Sequence, residues 1–235
     1  MDARSIGLRL MGHGNADSSR KHCEFVVNRI GLGRGGEHLF LRWLTTHWDY
    51  FFNGADTNWT MIKTYSDQCM LIFCDRYLYC LCPFMSFAYY FMFGGLYRAN
   101  LESATMDFVF PYLHSTTREN VARRLTNVIR NNIDVCLLNK DDGKKRLKAF
   151  TSKSLRKGSM TENRLNPELT IEHEYERSGH VLADFSMNRN AEGYIGSCPA
   201  KNAPGGLAMA GYQNPHVVPY LYSFDVLSHV QEAAA

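Results

Sequence analysis

Four short segments of the sequence carry cationic side chains, and three of them also contain glycine. In chain order they are Gly31-Leu32-Gly33-Arg34-Gly35-Gly36-Glu37, Trp59-Thr60-Met61-Ile62-Lys63-Thr64, Lys153-Ser154-Leu155-Arg156-Lys157-Gly158 and Arg177-Ser178-Gly179-His180. Arginine presents forked N–H donors that match the oxygens of a phosphate, so Arg34 and Arg156 are suited to holding such a group. Lysine and histidine can donate protons or hydrogen bonds to a reacting group, which makes Lys63 and His180 candidates for work beside it. These residue types favour chemistry on a phosphate.

A basic stretch runs through the middle of an otherwise balanced chain. Its cations are Arg118, Arg123, Arg124, Arg130, Lys140, Lys144, Lys145, Arg146, Lys148, Lys153, Arg156 and Lys157, and its acids are only Glu119, Asp134, Asp141 and Asp142. The formal net charge of the whole protein is only +3, so composition alone does not indicate nucleic acid. The local cluster is typical of a surface that faces phosphates, and a solvated face without a partner is the alternative.

The order and spacing of the four segments resemble the catalytic domain of the tyrosine recombinases, integrase-like enzymes that cut and rejoin DNA through a covalent phosphotyrosine. The first segment is similar to that family's first arginine box, the second to the hairpin that carries its lysine, and the fourth to its Gly-His box. The third is similar to its His-x-x-Arg box, with Lys153 where the family usually has histidine. Tyr194 follows, and Ala208-Met209-Ala210-Gly211-Tyr212 with Pro219 is similar to eukaryotic mobile-element versions of the Crypton or DIRS type. The resemblance covers roughly residues 20–225.

The resemblance implies a catalytic site that acts on a DNA phosphate without metal or cofactor. Arg34 and Arg156 would bind the non-bridging oxygens, where their hydrogen bonds strengthen as charge builds in the transition state. Lys63 would protonate the departing 5′ oxygen. His180 would donate a hydrogen bond to the phosphate, and Lys153 would add positive charge or assist proton transfer.

The resemblance also implies a nucleophile and a DNA-binding surface. Tyr194 would attack the phosphorus, with Tyr212 and Tyr220 as alternatives because Tyr194 stands further from His180 than is usual in the family. Glu37 would orient an arginine or a histidine. The implied partners are double-stranded DNA and further copies of this chain assembled on it. The side chains expected to contact backbone phosphates are Arg123, Arg124, Lys144, Lys145 and Lys157.

Departures from the family pattern keep a second hypothesis open. Lys153 replaces a histidine, and the position of Arg34 near the start of this sequence leads us to expect no room before it for the family's N-terminal DNA-clamping domain. The chain would then be a catalytically inactive, DNA-binding remnant of a recombinase. A third hypothesis, a membrane protein, rests on the uncharged run from Tyr77 to Leu96. Pro83 and several tyrosines interrupt that run, so a buried core helix is the better interpretation.

The elements that must position these residues are mostly helical. The strands Trp59–Thr64 and Gln68–Phe73 flank a turn and would place Lys63 on a β-hairpin. Apolar spacing and capping residues predict helices at Ser19–Ile30, Thr116–Arg130 and Thr170–Ser178, and a shorter one that starts at Ser154. The predicted fold class is α+β, mainly helical and similar to a tyrosine-recombinase catalytic domain, with one small antiparallel sheet.

The predicted organisation has three parts: an irregular segment at 1–18, a recombinase-like catalytic domain at 19–200 and a C-terminal tail at 201–235. The apolar run from Val217 to Val230 in that tail would dock onto a neighbouring subunit or close the core. Seven cysteines without repeated CxxC pairs, and no long apolar leader at the N-terminus, predict a reducing intracellular location. For a DNA-acting enzyme this would be the nucleus.

Overall fold

A computed structural model describes residues 3–32, 39–42, 45–59, 68–75, 77–94, 109–111, 116–133, 150–178 and 199–217. Within these ranges the protein forms seven α-helices and one three-stranded antiparallel sheet. The helices are α1 (Ala3–Gly12), α2 (Ala16–Ile30), α3 (Pro83–Gly94), α4 (Arg118–Asn132), α5 (Ser152–Arg164), α6 (Ile171–Ser178) and α7 (Pro199–Met209). The strands are β1 (Thr46–Asp49), β2 (Gly54–Trp59) and β3 (Gln68–Ile72). The predicted class, mainly helical with one small antiparallel sheet, is confirmed.

Helix α1 occupies most of residues 1–18, which were predicted to be irregular, so that prediction is wrong. Ile6 and Leu10 lie one turn apart on α1, and both are buried in the main core. Gly7 lets the helix approach its neighbour closely, because a Cβ there would lie 2.5 Å from the Cys80 carbonyl oxygen. Asn15 caps α2 by accepting a hydrogen bond from the Ser18 amide. Helix α2 therefore begins at Ala16, before the predicted start.

The main core lies between α1, α2, α4, α5 and β3. Its buried members are Ile6, Leu10, Phe25, Val26, Ile30, Met70, Ile72, Cys80, Leu81, Leu125, Val128, Ile129 and Leu155. Every residue of α2 from His22 to Ile30 is buried. A helix surrounded by packed neighbours has little freedom to shift, so the C-terminal end of α2 is a fixed point of the fold. The first motif segment starts immediately after it.

Helix α3 forms within the uncharged run that raised the membrane hypothesis. Within the described ranges, none of the helices has the length and apolar character needed to cross a membrane. Helix α3 packs on α2 instead, and Tyr90 stacks on Phe110 in a second apolar cluster. His22 of α2 also joins the two helices. Its Nε2 lies 2.8 Å from the Cys80 carbonyl oxygen and its Nδ1 lies 2.9 Å from the Ser86 hydroxyl.

The sheet has the order β1-β2-β3, with both pairs antiparallel. The second predicted strand is confirmed, because β3 covers Gln68–Ile72. The other predicted strand, Trp59–Thr64, lies outside the described ranges except for Trp59, which is the last residue of β2. Strand β1 was not predicted. It reaches β2 through a turn in which the Asp49 carboxylate accepts hydrogen bonds from two backbone amides.

Helix α7 covers β3 from the side opposite the main core. Leu71 and Phe73 pack there against Ala203, Leu207 and Ala210. The helix spans Pro199–Met209 and therefore crosses the predicted boundary between residues 200 and 201. The start of the predicted tail is thus part of the packed fold. Residues 218–235 lie outside the described ranges.

Candidate functional site

Arg177, the penultimate residue of α6, is only 2% exposed and joins three separate elements. Its Nε donates to the Ile30 carbonyl at 2.7 Å, and its Nη1 donates to the Leu71 carbonyl at 3.0 Å. Nη1 also donates to the Asn202 side-chain oxygen at 2.8 Å. These contacts join the end of α2, strand β3 and helix α7 to the end of α6. We call Arg177 and its three acceptors the Arg177 junction.

The junction forms because neutral oxygens surround a fully buried cation. Burial lowers the pKa of Arg177 to about 9, since the protein interior solvates a charge less well than water does. The hydrogen bonds to carbonyl and amide oxygens compensate for part of that loss. Asn202 is itself fully buried, and the same side-chain oxygen accepts from the Leu71 amide at 3.0 Å. Asn202 thereby couples α7 to β3 and to Arg177 at once.

Two adjacent glycines in α7 leave the space that Arg177 occupies. A Cβ at Gly206 would lie 2.8 Å from Arg177 Nη1 and 2.9 Å from the Leu71 carbonyl oxygen. A Cβ at Gly205 would lie 3.1 Å from Arg177 Cδ. Larger residues would therefore separate α7 from α6 and β3. The Ala-Pro-Gly-Gly run inside a helix is the sequence signal of this close approach.

Arg156 adds the third motif segment to this region. It lies on α5 and is 8% exposed, and its Nη2 donates to the Ser178 carbonyl at 3.1 Å. Ser178 follows Arg177 and precedes Gly179 and His180 in the chain. The structure therefore brings the arginine of the third segment into direct contact with the fourth segment.

The structure describes some of the other predicted site residues, and the rest lie outside the described ranges. Lys153 and Lys157 lie exposed on α5, and Arg123 lies exposed on α4. Arg124 is half-buried, and its Nη2 lies 2.9 Å from a carboxylate oxygen of the buried Glu24. The predicted residues outside the described ranges are Arg34, Glu37, Lys63, Lys144, Lys145, His180, Tyr194 and Tyr220. Tyr212 is described and packs partly buried against the cluster formed by β3 and α7.

A cleft of about 630 Å³ borders α5 on the side of α1. Arg4, Arg29, Lys157 and Glu162 contribute its charged walls. Arg29 Nη2 lies 2.6 Å from a Glu162 carboxylate oxygen, and the three cations outnumber the one acid, so the lining of the cleft has a positive balance. The positive charge on the exposed face of α5 therefore extends from Lys157 into this cleft. Within the described ranges, no group of three or more histidine, cysteine or acidic side chains could hold a metal ion.

Arg177 and Asn202 were not predicted to have a role. Arg177 was part of the fourth segment only as its first residue, and nothing in an eight-residue polar helix marks one arginine as buried. Its partners come from positions far apart in the chain, so only the tertiary structure identifies them. Gly205 and Gly206, about one helical turn after Asn202, were the available sequence signal of the junction, because adjacent glycines inside a helix usually mark close packing.

Comparison of the chain with protein-family models, with curated proteins and with solved structures found no match. Any functional assignment therefore depends on the residues and their geometry.

Proposed function

We propose that this protein cleaves and rejoins DNA strands through a 3′-phosphotyrosyl intermediate, in the manner of the recombinases that integrate mobile elements. The observation that carries the proposal is the Arg177 junction together with Arg156. Arg177 belongs to the fourth motif segment. It donates hydrogen bonds to the carbonyl of Ile30, which directly precedes the first segment, and to the carbonyl of Leu71 in β3, the strand that follows the second segment. Arg156 of the third segment bonds to Ser178. The third and fourth segments are thus in contact, and the chain positions that flank the first and second segments meet at the same junction. This supports the proposal that the four segments serve one phosphate site.

Covalent geometry limits how far the key side chains can lie from this junction. Arg34 follows Ile30 by four residues, which span at most about 14 Å when fully extended. His180 follows Ser178 by two residues, which span at most about 7 Å. Both segments leave from points that Arg177 holds together. Lys63 lies on the connection between β2 and β3, and the Leu71 carbonyl of β3 bonds to Arg177.

In the proposed reaction, Arg34 and Arg156 hold the two non-bridging oxygens of the scissile phosphate. One bond to the Ser178 carbonyl orients the Arg156 guanidinium, which carries five N–H donors in a fixed plane. The Tyr194 oxygen attacks phosphorus, the bond from phosphorus to the 5′ oxygen breaks, and Lys63 supplies the proton to that oxygen. The phosphotyrosyl bond conserves the energy of the broken ester, so the reverse attack by a 5′ hydroxyl rejoins the strand without ATP.

The exposed cations on α4 and α5 support binding to the DNA backbone. Arg123, Lys153 and Lys157 are exposed and positioned on stable helices, as phosphate contacts would require. Arg124 is less free to reorient, because Glu24 holds its guanidinium. We propose that the exposed three contact phosphates directly and that Arg124 mainly joins α4 to α2.

The test is the capture of a covalent protein–DNA adduct. The full chain is incubated with a pool of duplexes that carry a randomised central region, and the mixture is then denatured in detergent and separated by electrophoresis. We expect a DNA-linked band from the unmodified protein and from Tyr212→Phe, which serves as a matched control. Tyr194→Phe should remove the band. Loss of the band in Tyr212→Phe, with retention in Tyr194→Phe, would move the nucleophile to Tyr212.

A DNA-binding remnant is the second candidate, and Lys153 in the histidine position is the observation that favours it. The same duplex pool separates the two functions in a native gel at increasing salt. Salt-sensitive binding without any covalent band would support the remnant, because counterion release weakens phosphate contacts as salt rises. The absence of both binding and adduct would overturn both candidates.

A further inference from the structure

Two cysteines at the end of β3 and the start of α3 lie in contact. The sulfur of Cys74 is 3.7 Å from that of Cys82. Cys82 is fully buried, whereas Cys74 is half-buried and borders the surface. The other three cysteines that the structure describes, Cys23, Cys69 and Cys80, are all buried. Cys69 donates to the Asp56 carboxylate, and the Cys80 sulfur lies 3.9 Å from the Arg4 carbonyl oxygen.

The turn between the two cysteines is built to keep them together. The Asp75 carboxylate accepts hydrogen bonds from the Tyr77 amide at 2.9 Å and from the Leu78 amide at 2.8 Å. A 3-10 helix, Tyr79–Leu81, follows, and the Cys82 amide donates to the Tyr79 carbonyl at 3.3 Å. The backbone therefore fixes both ends of the turn. The contact between the sulfurs is a consequence of that fixed backbone.

We propose that Cys74 and Cys82 form an oxidation site that takes up a reversible disulfide on reaction with a peroxide. A disulfide has a sulfur–sulfur bond of about 2.05 Å, so side-chain rotation and a small backbone adjustment must bring the two sulfurs closer. Cys74 is the sulfur that a small oxidant reaches first, because it is the more exposed of the two. Cys82 then lies in position to complete the bond before a second oxidant arrives.

The chemistry balances with hydrogen peroxide as the only co-reactant. The Cys74 thiol loses its proton, the thiolate attacks one peroxide oxygen and the oxygen–oxygen bond breaks, which gives a sulfenic acid and hydroxide. The hydroxide takes up the proton that the thiol lost and becomes water. The Cys82 sulfur then attacks the Cys74 sulfur and displaces hydroxide, which leaves as a second water once protonated. The two sulfurs together lose two electrons, and the peroxide gains them. Exchange with an external dithiol returns both thiols and oxidises the dithiol.

This inference does not depend on the proposed function. Its structural consequence is a covalent tie between the end of β3 and the start of α3. Strand β3 carries the Leu71 carbonyl of the Arg177 junction. Oxidation would therefore stiffen the element that joins the hairpin to the junction.

The test is peptide mapping of the full chain after treatment with hydrogen peroxide. Remaining thiols are blocked with an alkylating reagent, and the protein is digested with trypsin without reduction. Trypsin cuts after Arg76, so Cys74 and Cys82 fall on different peptides. We expect those two peptides to be recovered as one species that lacks two hydrogen atoms and separates on reduction with dithiothreitol.

Each of the two peptides contains a second cysteine, Cys69 in one and Cys80 in the other, so single variants identify the bonded pair. Cys69→Ser and Cys80→Ser should retain the joined species, and Cys74→Ser should lose it. Cys74 is half-buried, so its serine variant is the one expected to fold normally. The proposal is overturned if the unmodified protein gives separate, alkylated peptides after peroxide treatment. It is also overturned if Cys74→Ser still yields the joined species.

Discussion

Replacing Arg177 with methionine is the most informative perturbation of this fold. Methionine fills much of the same volume but donates no hydrogen bond, so the Ile30 and Leu71 carbonyls lose the bonds that they accept from Arg177. Each buried carbonyl left without a donor costs about 1–3 kcal/mol. The variant no longer has to bury a charged guanidinium, and this gain offsets part of the cost of the two lost hydrogen bonds. Asn202 still accepts from the Leu71 amide, so its oxygen keeps one partner. We expect a loss of about 3 kcal/mol in the free energy of unfolding.

Equilibrium urea unfolding measures this loss. With a slope of about 3 kcal/mol per molar urea, the midpoint should fall by roughly 1 M. Arg9→Met is the matched control, because Arg9 is exposed on α1 and the same change there should alter stability by less than about 0.5 kcal/mol. A midpoint for Arg177→Met equal to that of the unmodified protein would refute the claim that the junction holds these elements together.

Three further predictions concern packing and protonation. Gly206→Ala should lower the free energy of unfolding by about 1–3 kcal/mol in urea titrations, because its Cβ would lie 2.8 Å from Arg177 Nη1. Gly158→Ala should instead raise it by about 0.5–1 kcal/mol, because the added Cβ meets nothing within 4 Å on a helix. Burial lowers the pKa of His22 below its ordinary 6.5, so the unfolded state takes up a proton more readily than the folded state does. Stability should therefore fall as the pH drops through 6.5, and His22→Gln should flatten that dependence in unfolding curves recorded across the range.

The sequence was sufficient to predict the elements that follow local rules. Helices α4 and α6 begin and end close to the predicted residues, because apolar spacing and capping residues act over a few positions. Strand β3 was predicted from an equally local signal, the turn that precedes its run of apolar residues. Helix α1 was missed because Gly7 and two arginines obscure its short apolar face. Its stability comes from Ile6 and Leu10 packing into the core, and that depends on distant residues.

The candidate site could be predicted only in part, for a related reason. Motif spacing singled out Arg156, and the structure describes its contact with Ser178 of the neighbouring motif segment. The role of Arg177 was not predictable, because a buried charge needs acceptors from Ile30, Leu71 and Asn202, which no local pattern connects. Arg124 was predicted to contact phosphates, but its partner Glu24 lies a hundred residues away on another helix. Whether a cation forms an ion pair within the fold or binds a ligand therefore depends on contacts between residues far apart in the sequence.

Identification of the residue that becomes linked to DNA is the decisive test of the proposed strand cleavage. The adduct formed with the randomised duplex pool is digested with nuclease and trypsin, and the peptide that carries the remaining nucleotide is sequenced by mass spectrometry. We expect a phosphodiester link to the Tyr194 side chain in the unmodified protein. Arg156→Met, which removes the guanidinium that donates to the Ser178 carbonyl, should yield no linked peptide although the chain remains folded. A linked peptide that persists in folded Arg156→Met, or a nucleotide attached to a residue other than tyrosine, would refute the proposed strand-cleavage reaction.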